Sequence, residues 1–206
     1  LSKTAKVKRV RHFPALPYED IGIFLQELRH RKGYSALALE FLILTAARTS
    51  EIIGAKWAEI DLEKEVWTVP ADRMKVGKEH RVPLCSRAIE ILKNITSNRN
   101  PEEHVFSGWK QNKGLSNNAL LALLKKMGRS NITAHGFRST FRDWAAEEAY
   151  TFANETIELA LAHTIKNKAE AAYRRGDQLE RRRELMAAWG AFVEQYSEQK
   201  EQENWA

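Results

Sequence analysis

Thirteen consecutive residues, Ser35 to Ala47, contain a single charge, Glu40. They are apolar nearly all the way round a helical wheel rather than on one stripe. A helix with no polar face has nowhere stable to lie except inside a protein, so this segment predicts a buried central helix with other elements packed about it. Its apolar stretch is too short and too polar for a membrane span. Arg48 follows at once, at a junction with a second helical pattern. A guanidinium there is costly unless partnered, and Glu51 is close enough to serve. Two readings stay open for Arg48: a local Arg–Glu bridge, or an arginine held rigid and aimed into a cleft.

The flanking sequence supplies the surroundings. Ile21, Phe24, Leu25 and Leu28 recur at the spacing of one helix face, and Gly33 ends that helix. Thr49 or Ser50 is expected to cap a helix through Ile52 and Ile53 to Trp57. Ile60–Leu62, Val66–Val69 and Arg81–Leu84 are short and β-prone. Lys75-Val76-Gly77-Lys78 offers a turn between the last two, which predicts a small antiparallel sheet. Helical patterns then run over Arg87–Ile95, Asn117–Met127, Phe137–Glu148, Thr156–Leu161, Lys168–Tyr173 and Glu180–Glu198. The fold expected is mainly α with a small antiparallel β-sheet (α+β). It forms one domain over residues 14–206, preceded by a basic linker or arm at 1–13. The last helix, with Leu185, Met186, Trp189, Phe192 and Val193, either closes this domain's own core or docks on a neighbouring subunit. The chain opens on Leu1 rather than Met, so a fragment is expected, with any upstream domain missing.

Charge and absent motifs narrow the function. Lys and Arg outnumber Asp and Glu by 33 to 27, a net charge of +6, which favours polyanionic partners. The one cysteine, Cys85, allows no disulfide framework and fits a reducing, cytoplasmic setting. The six histidines form no H-E-x-x-H pair, and the five aspartates (20, 61, 72, 143 and 177) are dispersed. Clustered carboxylates for two-metal phosphoryl chemistry are therefore not expected. Nucleophile-elbow, P-loop and dinucleotide fingerprints are missing as well, and no secretion signal is visible.

The candidate chemistry lies in four short segments. In Thr133-Ala134-His135-Gly136-Phe137-Arg138, His135 and Arg138 stand three apart, which directs an imidazole and a guanidinium to one spot. Such an arginine can fork onto two phosphate oxygens, and such a histidine can move a proton near neutral pH. Thr45 to Glu51 carries Arg48. Leu159-Ala160-Leu161-Ala162-His163 is followed ten residues later by Tyr173 in Ala171-Ala172-Tyr173-Arg174-Arg175. The hairpin turn carries Lys75 and Lys78. Each segment alone has an ordinary structural explanation: a surface pair, a bridge, a packing tyrosine, a solvated turn.

Taken in order, Arg, hairpin Lys, His-x-x-Arg, His and Tyr resemble the tyrosine recombinase (phage integrase) family over about residues 14 to 192. Arg-Met-Lys…His-Arg-Val-Pro-Leu and Ala-Leu-Ala-His…Ala-Ala-Tyr-Arg-Arg are closest to the prophage and genomic-island integrases. Ala162 departs from the glycine that many members carry before this histidine. Little effect is expected, because alanine still allows close backbone packing. The resemblance implies site-specific recombination in which DNA is cut and rejoined through a 3′-phosphotyrosine, without metal, ATP or other cofactor. It makes Tyr173 the nucleophile and Arg48 and Arg138 the stabilisers of phosphate charge. His135 would share the tyrosine proton, His163 would donate to the phosphate, and Lys75 would act as general acid with Lys78 as its rival. Glu51 would orient Arg48. DNA contacts would come from Lys3, Lys6, Lys8, Arg9, Arg11, Lys78, Arg142, Lys166, Lys168, Arg174 and Arg175. Arg181–Arg183 reads equally as a DNA contact or a solvated helix face. The implied partner is double-stranded DNA bearing attachment sites, bound by a tetramer with accessory DNA-bending proteins; the isolated domain could be a monomer. The competing readings are a type IB topoisomerase and an inactive DNA-binding module.

Overall fold

The computed structural model describes residues 14–95, 100–108, 113–163 and 176–203, with side chains of the last helix through Gln195. Helices α1 (Ile21–Arg29), α2 (Tyr34–Thr45) and α3 (Thr49–Ile53) come first. Strands β1 (Ile60–Asp61), β2 (Val66–Val69) and β3 (His80–Pro83) follow. Helices α4 (Ser86–Ile95), α5 (Ala119–Lys126), α6 (Gly136–Glu147), α7 (Asn154–Ala160) and α8 (Leu179–Glu203) complete the described residues.

Helix α2 is the axis that its sequence demands. Every residue from Ala38 to Thr45 is buried, and the helix touches α1, α3, α4, α5, α6 and α8. At roughly 1.5–3 kcal/mol for each large apolar side chain withdrawn from water, this element is a principal source of the fold's stability. The buried charge at Glu40 is answered from two sides, by Arg29 Nε at 2.8 Å and by Arg87 Nε at 2.8 Å. Arg29 also reaches Glu194 on α8.

The final helix closes this core in cis. Leu185, Met186, Trp189 and Val193 are buried, and Trp189 donates its indole N–H to the Ile43 carbonyl at 2.8 Å. Trp144, Phe141 and Phe192 surround Trp189 with ring centroids 4.9–5.9 Å apart.

The sheet is antiparallel in the order β1-β2-β3, with Trp67 opposite Ile60 and Val82. The β2–β3 connection contains a turn in which the Gly77 N–H bonds the Met74 carbonyl, and Gly77 takes φ +63°, which a residue without Cβ adopts at little cost.

Several element ends differ from expectation. The predicted helix to Trp57 stops at Ile53, because Gly54 caps it and Lys56 pairs with His104 instead. Its N-cap is Arg48, not Thr49 or Ser50. Helix α2 ends at Thr45, two residues short of Ala47, because Ala46 turns left-handed at φ 49°. The Arg181–Arg183 run is not a uniform solvated or DNA-facing strip. Arg182 is 1% exposed and bonds the Asp177 carboxylate at 2.7 Å and the Arg81 carbonyl.

Candidate active site

The site forms where three chain reversals meet: the end of α2, the start of α6 and the end of α7. Arg48 occupies the N-cap of α3. Its backbone N–H and one guanidinium nitrogen both bond the buried Glu51 carboxylate, at 2.9 and 2.8 Å. Its other terminal nitrogen donates to the Ala162 carbonyl at 3.1 Å. The two open readings of Arg48 thus coincide: the Glu51 bridge is what aims the side chain.

Arg138, in the first turn of α6, is 5% exposed and has no carboxylate partner among the described residues. Main-chain carbonyls hold it instead, Ala46 from one nitrogen and Leu161 from the other at 2.6 Å. Its NH2 group also faces His163 Nε2 at 3.1 Å. Burial, and next the nearby Arg48 charge, pull the Arg138 guanidinium down to about 10. Unpaired charge in a low-dielectric setting is the condition under which a cation attracts an incoming anion most strongly.

His135 is the N-cap of α6, so it and Arg138 face one cleft as their spacing implies. Burial first, then Arg138, Arg48, His163 and Lys75, hold its imidazole below the ordinary histidine range, which keeps it neutral and able to accept a proton. Gly136 is needed between them because the Pro14 backbone crosses directly over it and leaves no space for a Cβ. Thr140 fastens the same strap by bonding the Leu16 carbonyl at 2.6 Å.

An open cleft of about 540 Å³ is lined by Arg48, Lys75, Val76, His135, Arg138, Glu158, Ala162 and His163. Lys75, rather than Lys78, is the hairpin lysine that lines it. Ala162 lies at φ 49°, so the choice between alanine and glycine is a matter of left-handed backbone, not of packing as expected from the sequence. That turn directs the Leu161 and Ala162 carbonyls at the two arginines.

Arg142, expected to contact DNA, is held by Glu158 at 2.9 Å and Asn154 at 2.6 Å, beside an adjoining recess. Tyr173, Lys166, Lys168, Arg174, Arg175 and the arm residues Lys3, Lys6, Lys8, Arg9 and Arg11 lie outside the described residues. Sequence reasoning missed Glu158, which bonds His163 Nδ1 at 2.7 Å. Its signal was a carboxylate about one turn before a candidate histidine. It also gave no role to His80, which sits behind the cleft near Arg182, Glu51 and Arg48 and bonds the Ala160 backbone. The carbonyl ligands had no side-chain signal at all. No group of three His, Cys, Asp or Glu is placed to hold a metal ion among the described residues, and no described helix is long and apolar enough to cross a membrane.

Comparison with known proteins gives a consistent picture. The model of the phage integrase family matches residues 16–179. The integrase of Enterobacteria phage P4 is 31% identical over 205 residues, spanning 90% of this chain and 46% of the relative. Among solved structures, an integrase from mycobacterium phage Brujita superimposes with a TM-score of 0.61 at 17% identity, over 96% of this chain and 67% of the other. A lambda integrase tetramer bound to a Holliday junction gives 0.58 at 16% identity, over 80% and 51%. The chain spans about half the length of the curated relatives it matches.

Proposed function

The chain belongs to the phage integrase family, and from that premise we propose that it is the catalytic half of a site-specific DNA recombinase whose nucleophile is Tyr173. The observation that carries this reading is convergence. Arg48, Lys75, His135 with Arg138, and His163 come from four separate stretches of the sequence and line one open cleft.

The chemistry follows from those groups. A phenol has a pKa near ~10 and needs help to attack at neutral pH. Arg48 and Arg138 favour its anion and share the charge of the phosphate's non-bridging oxygens. Neutral His135 accepts the tyrosine proton. The Tyr173 oxygen bonds phosphorus, the bond to the 5′-oxygen breaks, and Lys75 supplies that oxygen with a proton. The 3′-phosphotyrosine keeps the energy of the broken ester, so a 5′-hydroxyl can reverse the step without ATP. The partner is double-stranded DNA at attachment sites. A tetramer completes the working assembly, as the lambda integrase tetramer bound to a Holliday junction suggests.

A nicked suicide duplex carrying the attachment site tests this. The protein is expected to accumulate as a covalent adduct on denaturing gels, and Tyr173→Phe to abolish it. Adducts that persist in Tyr173→Phe would overturn the assignment. Relaxation of supercoiled plasmid without recombinants between paired sites would assign a topoisomerase instead.

A further inference from the structure

The cleft contains a carboxylate for which the reaction above has no use. Glu158, on α7, bonds His163 Nδ1 at 2.7 Å and accepts from Arg142 Nε at 2.9 Å. Arg142 is steadied in turn by Asn154 Oδ1 at 2.6 Å. Burial raises the Glu158 carboxyl, but the His163 and Arg142 hydrogen bonds outweigh it and hold the group below its ordinary range, so it is ionised.

An ionised carboxylate only accepts, so the bonded ring nitrogen of His163 must carry the proton. The other nitrogen, Nε2, faces Arg138 NH2 at 3.1 Å, and a guanidinium only donates. Both partners therefore select one neutral tautomer, with the proton on Nδ1 and a lone pair on Nε2. In that state His163 cannot donate to a phosphate.

We propose that Glu158 is a positioning residue that makes phosphate binding by His163 proton-linked: the ring takes up one proton as a phosphodiester enters and releases it as the ester leaves. The proposal rests on the cleft being a phosphate site. An arriving phosphate oxygen draws Arg138 onto itself through a charge-assisted hydrogen bond and away from Nε2. The bare Nε2 lone pair then faces an anionic oxygen, acceptor against acceptor. One proton from a hydronium ion or a buffer acid resolves the conflict: the donor's bond to hydrogen breaks as the Nε2–H bond forms, the conjugate base returns to solvent, and the imidazolium donates to the phosphate while Glu158 balances its charge from the opposite edge.

Charged and titratable groups face the ring from several elements. Arg48 faces it from the start of α3, with Glu51 bonded behind it, Lys75 from the hairpin, and His135, Arg138, Arg142 and Asp143 from α6; Glu158 on α7 is the acid in hydrogen-bond contact with the ring. A bound phosphate adds a negative charge beside the ring, which favours the imidazolium.

Protein labelled with ¹⁵N-histidine reports the tautomer directly. The probe is dimethyl phosphate, a phosphodiester anion that does not itself titrate near neutrality. Without it, the His163 signals, identified by their loss in His163→Gln, are expected to be those of the Nδ1–H tautomer at pH 7.5. With it, they are expected to become those of imidazolium, and affinity to rise by up to about tenfold per pH unit on lowering pH from 8.5. In Glu158→Gln the ring should stay neutral in the complex and the pH dependence should flatten, while the other histidine signals report an intact fold. A ring that stays neutral with dimethyl phosphate bound to the wild-type protein overturns the linkage alone. Equal protonation in Glu158→Gln overturns the role of Glu158. If the probe shifts none of the cleft signals, the phosphate-site reading fails and this inference fails with it.

Discussion

At the scale of single residues, the site is organised by groups that carry no obvious motif. His80 is the clearest. It begins β3, bonds the Ala160 backbone, and lies where burial and then the Arg182 charge push its imidazole down to about 4. An unfolded histidine titrates near ~6.5. The fold therefore holds His80 neutral, and its contribution is complete above the unfolded value. As pH falls from 6.5 toward 4 the unfolded chain binds a proton that the folded one refuses, and up to about 3 kcal/mol of stability is lost across that window. Urea denaturation at pH 7 and pH 4.5 should show this loss, and His80→Gln should remove most of the difference; an unchanged pH dependence in His80→Gln would contradict it. The sequence displayed His80 inside a family-like string but gave no hint of its shifted titration, because the Arg182 charge that helps depress it lies about a hundred residues away. Arg48, His135, Arg138 and His163 were legible because their chemistry and order are written in side chains. The carbonyls of Ala46, Leu161 and Ala162 were not, because any residue supplies a carbonyl and only the φ of the turn decides where it points.

At the scale of elements, the central helix and the three-stranded sheet could be read from periodicity, since both depend on local apolar patterning. The way α8 is fastened could not. Its entry is locked by a buried arginine: Arg182 bonds the Asp177 carboxylate and main-chain oxygens of Asp177 and Arg81, and Arg81 forks onto the same carboxylate at 2.6 and 2.9 Å. Gln178 adds bonds to Thr156 and Glu155 on α7. Asp177 lies four residues beyond Tyr173, the proposed nucleophile, and the clamp holds the chain close to where the described residues resume at 176. Asp177→Ala would leave Arg182 buried and short of its counter-charge, and breaking such a pair is expected to cost about 3–5 kcal/mol. Chemical denaturation should register that loss, whereas Arg181→Ala, on the exposed neighbour, should change stability by no more than about 0.5 kcal/mol. Adduct formation on the suicide duplex should fall with Asp177→Ala even at temperatures where the variant is fully folded. Normal adduct yield would mean that the clamp serves stability alone.

At the scale of the whole molecule, the proposed DNA partner is matched by a net charge of +6 and by five basic residues among the first thirteen. Each phosphate contact should weaken binding by about 3.5-fold between 50 and 200 mM salt. Lys3, Lys6, Lys8, Arg9 and Arg11 place up to five such contacts in residues 1–13. Fluorescence anisotropy on a non-specific duplex should therefore show a steep salt slope that becomes shallower when residues 1–13 are removed; an unaltered slope would assign the arm to solvent. The catalytic cleft follows a different logic from this surface. Arg138 is held by the main-chain oxygens of Ala46 and Leu161, at turns where Ala46 and Ala162 are left-handed, and a backbone oxygen cannot be deleted by exchanging a side chain. The mooring of Arg138 is thus insulated against most single substitutions among its supports. What it stays vulnerable to is shape: a β-branched residue at either turn would rotate the peptide and misdirect a guanidinium while every charged residue remained in place. A relative could then carry the complete set of catalytic side chains and still be silent, for a reason visible only in two alanines.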